Sequence, residues 1–189
     1  MLTVASGETD AAKIAQAFRT IPVPGVIAGN MVVLDSSARL PAVDALNLTN
    51  SSVVSLDRNG TNQTSLTGGA FNKISFTTKT GDTNSWYDAV TNFRFLPTVS
   101  GWYLCTCSAQ ANSNGESPES AIYKNGTIVS GGTYVPAGMG TGIFNSNCAR
   151  LIQLNGSTDY VEFFVYLPAT VTTLSGTIQG TNASIAKVG

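Results

Sequence analysis

From Val53 onward the chain shows no helical period, and turn signals cut it into short pieces. Asn59-Gly60, Gly68-Gly69, Gly81-Asp82, Asn125-Gly126 and Asn155-Gly156 each mark a reversal. Between and around them lie strand-like runs at Val53–Leu56, Phe71–Phe76, Phe93–Leu96, Trp102–Ala109, Ala121–Lys124, Cys148–Leu154, Tyr160–Leu167 and Ala183–Val188. Short strands at this spacing predict an all-β sandwich or jelly roll, because each strand has an apolar face that only a second sheet can cover. Asn125-Gly126, between Ile122-Tyr123-Lys124 and Thr127-Ile128-Val129, predicts a tight hairpin, since both central residues of such a turn take positive φ.

Two of these runs are apolar on both faces. In Trp102–Ala109 one face carries Tyr103, Cys105, Cys107 and Ala109, while the other carries Trp102, Leu104, Thr106 and Ser108. In Tyr160–Leu167, Val161, Phe163, Val165 and Leu167 point one way; Tyr160, Phe164 and Tyr166, with Glu162 among them, point the other. A sheet with one wet face shows strict alternation. Each aromatic contributes about 1.5–3 kcal/mol when buried, and a row of them left in water is an adhesive patch. The second faces therefore need a cover, either a subunit interface or a loop laid over the sheet. The interface reading marks Trp102, Leu104, Tyr160, Phe164 and Tyr166.

Phe-x-Phe-x-Pro-x-x-x-Gly-x-Tyr, from Phe93 to Tyr103, resembles the central motif of the trimeric jelly rolls of the complement and tumour-necrosis-factor type. Phage fibre tips with such heads show similar runs, with an aromatic-Asp pair upstream (Tyr87-Asp88) and an Ile-x-Lys-Asn-Gly hairpin downstream (Ile122–Gly126). The similarity covers roughly the C-terminal two-thirds of the chain. It implies a homotrimeric jelly-roll head with a three-fold axis lined by aromatics, which would cover the second faces of both strands together. It also assigns Trp86-Tyr87 to packing.

Charged residues make up 11% of the chain, against about 25% in ordinary soluble domains. The surface is built from Ser, Thr, Asn and Gly, or much of it is buried in an assembly. Lys+Arg 10 and Asp+Glu 11 leave a net charge of -1, which offers no basic field for nucleic acid or an anionic membrane. No apolar run reaches the ~20 residues that span a bilayer. Nothing at the N-terminus reads as a secretory signal, and the Asn-x-Ser/Thr sites at Asn47, Asn50, Asn59, Asn62, Asn125, Asn155 and Asn182 are then a by-product of Asn/Thr-rich loops. The 3 cysteines close no disulfide framework. Cys105 and Cys107, on one face of one strand, are poorly placed to bridge, so free buried thiols are expected. A metal site at Cys-x-Cys is the rival, but with 0 histidines Cys148 completes at most three ligands; neither metal nor cofactor is expected.

The absence of histidine also removes the usual general base and the Ser-His-Asp relay. Asp82, Asp88 and Asp159 sit in turn contexts, where Asp caps its own backbone, and Glu116 and Glu119 share a loop. No pair of carboxylates is set up for glycoside hydrolysis. A non-enzymatic protein is expected; a polysaccharide hydrolase subunit is the rival from another class. For ligand binding, the loops Asn112–Glu119 and Ser130–Gly142 are long for hairpin connections, and such loops on a rigid β scaffold tend to be functional. The expectation is that Tyr134 stacks on a host glycan while Asn114 and Glu116 hydrogen-bond its hydroxyls.

Ahead of the head, Ser6–Thr20 reads as a short helix capped by Ser6 or Thr9, with Ile14 and Phe18 on one face and Pro22 as its stop. Alone it is too short to be stable in water. Asn30–Asn50 resembles the repeating segments of phage tail-fibre shafts around Leu34-Asp35 and Leu40-Pro41-Ala42-Val43-Asp44, with Ala38 and Ala45 where those segments carry glycine. The chain thus divides into residues 1–52, an attachment helix and fibre-like segment that binds other virion proteins, and residues 53–189, the jelly-roll head. The combined reading is a non-enzymatic, homotrimeric virion protein assembled in the host cytoplasm. It is a short tail fibre or spike whose head binds a host surface receptor, or alternatively a capsid decoration protein or head fibre.

Overall fold

The structure, a computed structural model, describes residues 52–135, 138 and 140–188. The helix expected over Ser6–Thr20 and the fibre-like segment lie outside the described residues. Eleven strands follow in order: β1 (Val53–Asp57), β2 (Ala70–Lys73), β3 (Thr78–Thr80), β4 (Tyr87–Asp88), β5 (Arg94–Phe95), β6 (Gly101–Asn114), β7 (Glu119–Lys124), β8 (Thr127–Gly131), β9 (Thr141–Leu154), β10 (Val161–Leu167) and β11 (Asn182–Lys187). They form two antiparallel sheets. The first has the order β3-β1-β11-β6-β9; the second runs β4-β5-β10-β7-β8, with β2 also pairing β10.

The core lies between the sheets and is built by period-two alternation. Val54 and Leu56 of β1, Tyr103, Cys105, Cys107, Ala109 and Ala111 of β6, and Ala183 and Ile185 of β11 point inward from the first sheet. Val161, Phe163, Val165 and Leu167 of β10 meet them with Ile122 of β7. The Phe-x-Phe-x-Pro…Gly-x-Tyr motif closes one end of this core. Trp86, Phe95 and Tyr103 pack edge to face with centroids 5.9, 5.5 and 6.3 Å apart. The Tyr103 hydroxyl donates to the Val99 carbonyl at 2.7 Å, so the motif ties its own turn to the strand that follows. Trp86 and Tyr87 are buried in this packing.

Phe93 does not open a strand. The Asp88 carboxylate accepts the backbone N–H groups of Val90, Thr91 and Asn92, each at 2.9 Å, and winds the chain into a turn. Phe93 ends it at φ +48°, in the left-handed region, and only Arg94–Phe95 pair with β10. The hairpin at Asn125-Gly126 forms as read, with Lys124 opposite Thr127 and φ of +51° and +78° at the two central residues. Gly156 holds φ +71° where a Cβ would lie 2.3 Å from the Ser100 backbone nitrogen, so the β9–β10 turn needs glycine on two grounds.

Candidate functional site

Strand directions give the head two distinct ends. Ser52 and Val188 lie together at one end, the lower: the Lys187 N–H donates to the Ser52 carbonyl and the Val188 N–H to that of Trp102. Strands β1 and β6 rise from there and β11 descends to it, as the register of Val53 with Ala186 and of Leu104 with Ala186 requires. The connections β1–β2, β6–β7, β8–β9 and β10–β11 all fall at the opposite, upper end.

The outer face of the first sheet is graded between these ends. At the bottom, Val188 lies beside Trp102. Above them Val53, Ala186, Leu104 and Leu151 line up in register across four strands. The next row is Thr80, Ser55, Ser184, Thr106 and Ala149, followed by Thr78, Asp57, Asn182, Ser108 and Asn147. Trp102, Leu104, Leu151, Val53 and Val188 are all exposed in the single chain. Sequence reading found Trp102 and Leu104 but missed the other three. Leu151 was legible in principle, since alternation through Cys148–Leu154 puts it opposite to the inward Ile152 and Leu154.

Tyr160, Phe164 and Tyr166 are half-buried, but the structure does not bring them to Trp102 and Leu104. Phe164 and Tyr166 belong to β10 of the second sheet, Tyr160 directly precedes that strand, and all three lie on the other side of the sandwich. One aromatic-lined seam gathering all five is therefore not what a single head presents. Neighbouring side chains already cover much of this second face. The rings of Phe164 and Tyr123 lie 4.1 Å apart, and Phe71 packs edge-on to Tyr123 and Tyr166 at 6.1 and 5.5 Å. The Arg94 guanidinium sits 4.8 Å over Tyr160, and Lys73 pairs with the buried Glu162 at 2.5 Å. Cross-strand partners a sequence pass cannot pair supplied the cover.

The two loops singled out from the sequence are shorter than expected and meet each other. β6 and β9 pair in register from Gly101 with Leu154 up to Asn114 with Thr141, so Asn112–Asn114 and Thr141–Gly142 are strand. Their Asn, Ser and Gly content hid the alternation, whose inward members Ala111 and Ser113 are small and buried. Across the remaining loops the Ser117 N–H donates to the Val135 carbonyl at 3.0 Å, and the Val135 N–H returns to the Ser117 hydroxyl at 2.7 Å. Tyr134 packs edge-on to Tyr166 at 5.7 Å. Its hydroxyl is pushed above the ordinary tyrosine value by burial, by the Glu116 carboxylate and by Tyr166, so Glu116 and Tyr134 are neighbours. Asn114 ends β6.

Cys107 and Cys148 are direct cross-strand partners, and all three thiols are free and buried. The Cys107 thiol donates toward Cys148, which raises the first pKa and lowers the second; burial pushes Cys105 up to about 12. Among the carboxylates, Asp82 accepts the Trp86 and Tyr87 N–H groups, and Asp88 and Asp159 cap their own turns.

Two antiparallel sheets in this order, with a motif-closed core between them, define a jelly-roll sandwich. No protein-family model and no curated protein matches the sequence. Solved structures do match in fold. Murine APRIL at pH 5.0 superposes with a TM-score of 0.54 at 13% identity, covering 74% of this chain and all of that one. The globular domain of zebrafish complement 1qA gives 0.54 at 13% identity, covering 74% of this chain and 98% of its own. The Eiger TNF of S. frugiperda gives 0.53 at 7% identity, covering 74% and 93%.

Proposed function

We propose that this protein is a non-enzymatic, homotrimeric virion attachment protein. Its N-terminal segment binds other virion proteins, and its head meets the host surface as a short tail fibre or spike. The observation that carries the reading is the end-to-end polarity of the head. The chain enters the described head at Ser52, beside the exposed apolar rows, and the β6–β7 and β8–β9 loops that carry Glu116 and Tyr134 lie at the other end. Three copies packing through the first sheet's outer face cover Trp102 and Leu104 and leave the upper loops free. Tyr134 with Glu116, joined by Asn114, then forms the part of the upper end that contacts a host glycan through ring stacking and hydroxyl hydrogen bonds.

The test is competition. Host cells pre-incubated with purified full-length chain adsorb particles carrying the protein more slowly, and a Tyr134→Ala, Glu116→Ala double variant of unchanged mass competes less well. Cells that adsorb at the same rate with either protein assign the trimer to the capsid shell, as a decoration protein or head fibre.

A further inference from the structure

The outer face of the second sheet changes character from bottom to top. In its lower part the protein supplies cations to its own rings and carboxylates. The Arg94 guanidinium sits over Tyr160, and Lys73 pairs with Glu162 while its ammonium stands 5.9 Å from the centre of the Phe164 ring. In the upper part rings and carboxylates recur, but no ion pair among the described residues reaches them. Phe71, Tyr166 and Glu119 are direct partners across β2, β10 and β7. Phe71 and Tyr134 both meet Tyr166 edge to face, at 5.5 Å and 64° and at 5.7 Å and 86°, so two rings stand steeply against a third. Glu119 lies against the Gly131 backbone, where a Cβ would come 2.7 Å from its Oε1, and Glu116 neighbours Tyr134. Phe71 and Tyr134 are each 37% exposed. Burial pushes the Glu119 carboxyl above the ordinary glutamate value.

We propose that this upper patch binds the ammonium group of an amino sugar, so that the glycan met through Tyr134 and Glu116 is a cationic one; the inference deepens the attachment reading and rests on it. An ammonium near a ring face is attracted by the ring quadrupole, more strongly where water is kept away. An opposite charge also favours the ionised form of Glu119, which burial disfavours. The lower part of the face shows this arrangement completed from within the chain; above it, the ligand brings the cation. Phe71 and Tyr134 leave ring surface free for the C–H face of the sugar. A sialylated or sulfated ligand would meet two carboxylates, and a neutral one would bury Glu119 further without pairing it. The patch lies across the sandwich from the outer rows of the first sheet, so subunits packed through those rows leave it open.

The experiment titrates full-length chain against a matched pair of labelled glucosamine oligomers, one with free amines and one fully N-acetylated, with oligolysine as a third probe. Slightly acidic buffer keeps the amines charged. The expected result is binding of the free-amine oligomer at least tenfold tighter than of its acetylated twin. That preference should vanish in the Glu116→Gln, Glu119→Gln double variant, with oligomeric mass and melting temperature unchanged. Tyr134→Phe should retain binding, since the ring and not the hydroxyl attracts the cation, and Tyr134→Leu should lose it. If Glu119→Gln lowers the melting temperature, Glu116→Gln and the two Tyr134 variants, all on loops, decide alone. Four results overturn the inference: equal binding of the acetylated oligomer, a preference that survives loss of the carboxylates, indifference to Tyr134→Leu, or oligolysine bound as tightly as the amino sugar. Oligomers that stay unbound while the chain still slows adsorption overturn the amino-sugar assignment and leave the attachment reading standing. Failure of both brings down the reading itself.

Discussion

Leu104→Asp tests the association of heads through the first sheet. Val53, Trp102, Leu104, Leu151 and Val188 are 48, 49, 39, 52 and 51% exposed in the single chain. Full burial of such a side chain is worth about 1.5–3 kcal/mol, so each has on the order of 1 kcal/mol still to gain. The patch therefore offers roughly 5 kcal/mol per subunit contact. Aspartate at 104 removes the share of the central residue of the row and brings an unpaired carboxylate into the seam, at a cost of several kcal/mol. That cost recurs at every contact and exceeds what the other four residues contribute. Multi-angle light scattering on the wild type should give three times the 19.6 kDa chain mass, and on the variant a single chain mass. Val90→Asp, at a site 83% exposed in a turn off this face, should leave the trimer intact. A wild-type chain that stays soluble and monomeric at micromolar concentration refutes the argument, and so does a Leu104→Asp variant of wild-type mass.

Alkylation under denaturing conditions without reductant should label three cysteines per chain, whereas in the folded protein Cys105, buried and with its pKa near 12, should stay unlabelled at pH 8. Asp88 and Asp159 have folded pKa values below the ordinary 3.8, held there by backbone and side-chain hydrogen bonds. Their contribution is complete above that value and is lost as pH falls through the folded values, so melting temperature should drop on acidification below about pH 4. Asp88→Asn should melt lower at neutral pH and show a shallower acid limb. Removal of residues 1–50 should leave a head with a cooperative melt, because the core cluster among the described residues begins at Val54; non-cooperative melting would make the N-terminal segment part of the domain.

What the sequence showed follows the strength of local signals. The sandwich was legible because turn signals bound short runs whose inward members, such as Tyr103, Cys105 and Cys107 of β6 and Val161, Phe163 and Val165 of β10, are all apolar. The same signal fails in the upper halves of β6 and β9, where small inward residues such as Ala111, Ser113 and Ser146 alternate with Asn and Gln. Those strands hold only through fourteen residues of mutual pairing, a non-local fact. Phe93 was misplaced because Asp88 recruits three N–H groups of the following turn, which outweighs the strand preference of an aromatic residue. Among site residues, Glu116 and Tyr134 come together because Ser117 joins their loops. Splitting Phe164 from Trp102 needed the sheet order, which no single strand contains.

The scarcity of charge has a spatial pattern that bears on assembly. The ion pairs among the described residues, Lys73–Glu162, Lys79–Asp82 and Lys124–Asp159, all lie off the rows of the first sheet's outer face. Close to a rotation axis a side chain meets its own copies, so a charge placed there meets like charge. Ser, Thr, Asn and Ala have no such conflict and allow close approach of the sheets. Asp57 is the one charge in the rows, and its carboxylate accepts the Asn59 N–H at 2.6 Å, which commits it to the turn above. A face whose one carboxylate is held by a backbone N–H, apolar at the bottom and small and polar above, suits self-association about an axis; a face meant for water would spread its charges over it.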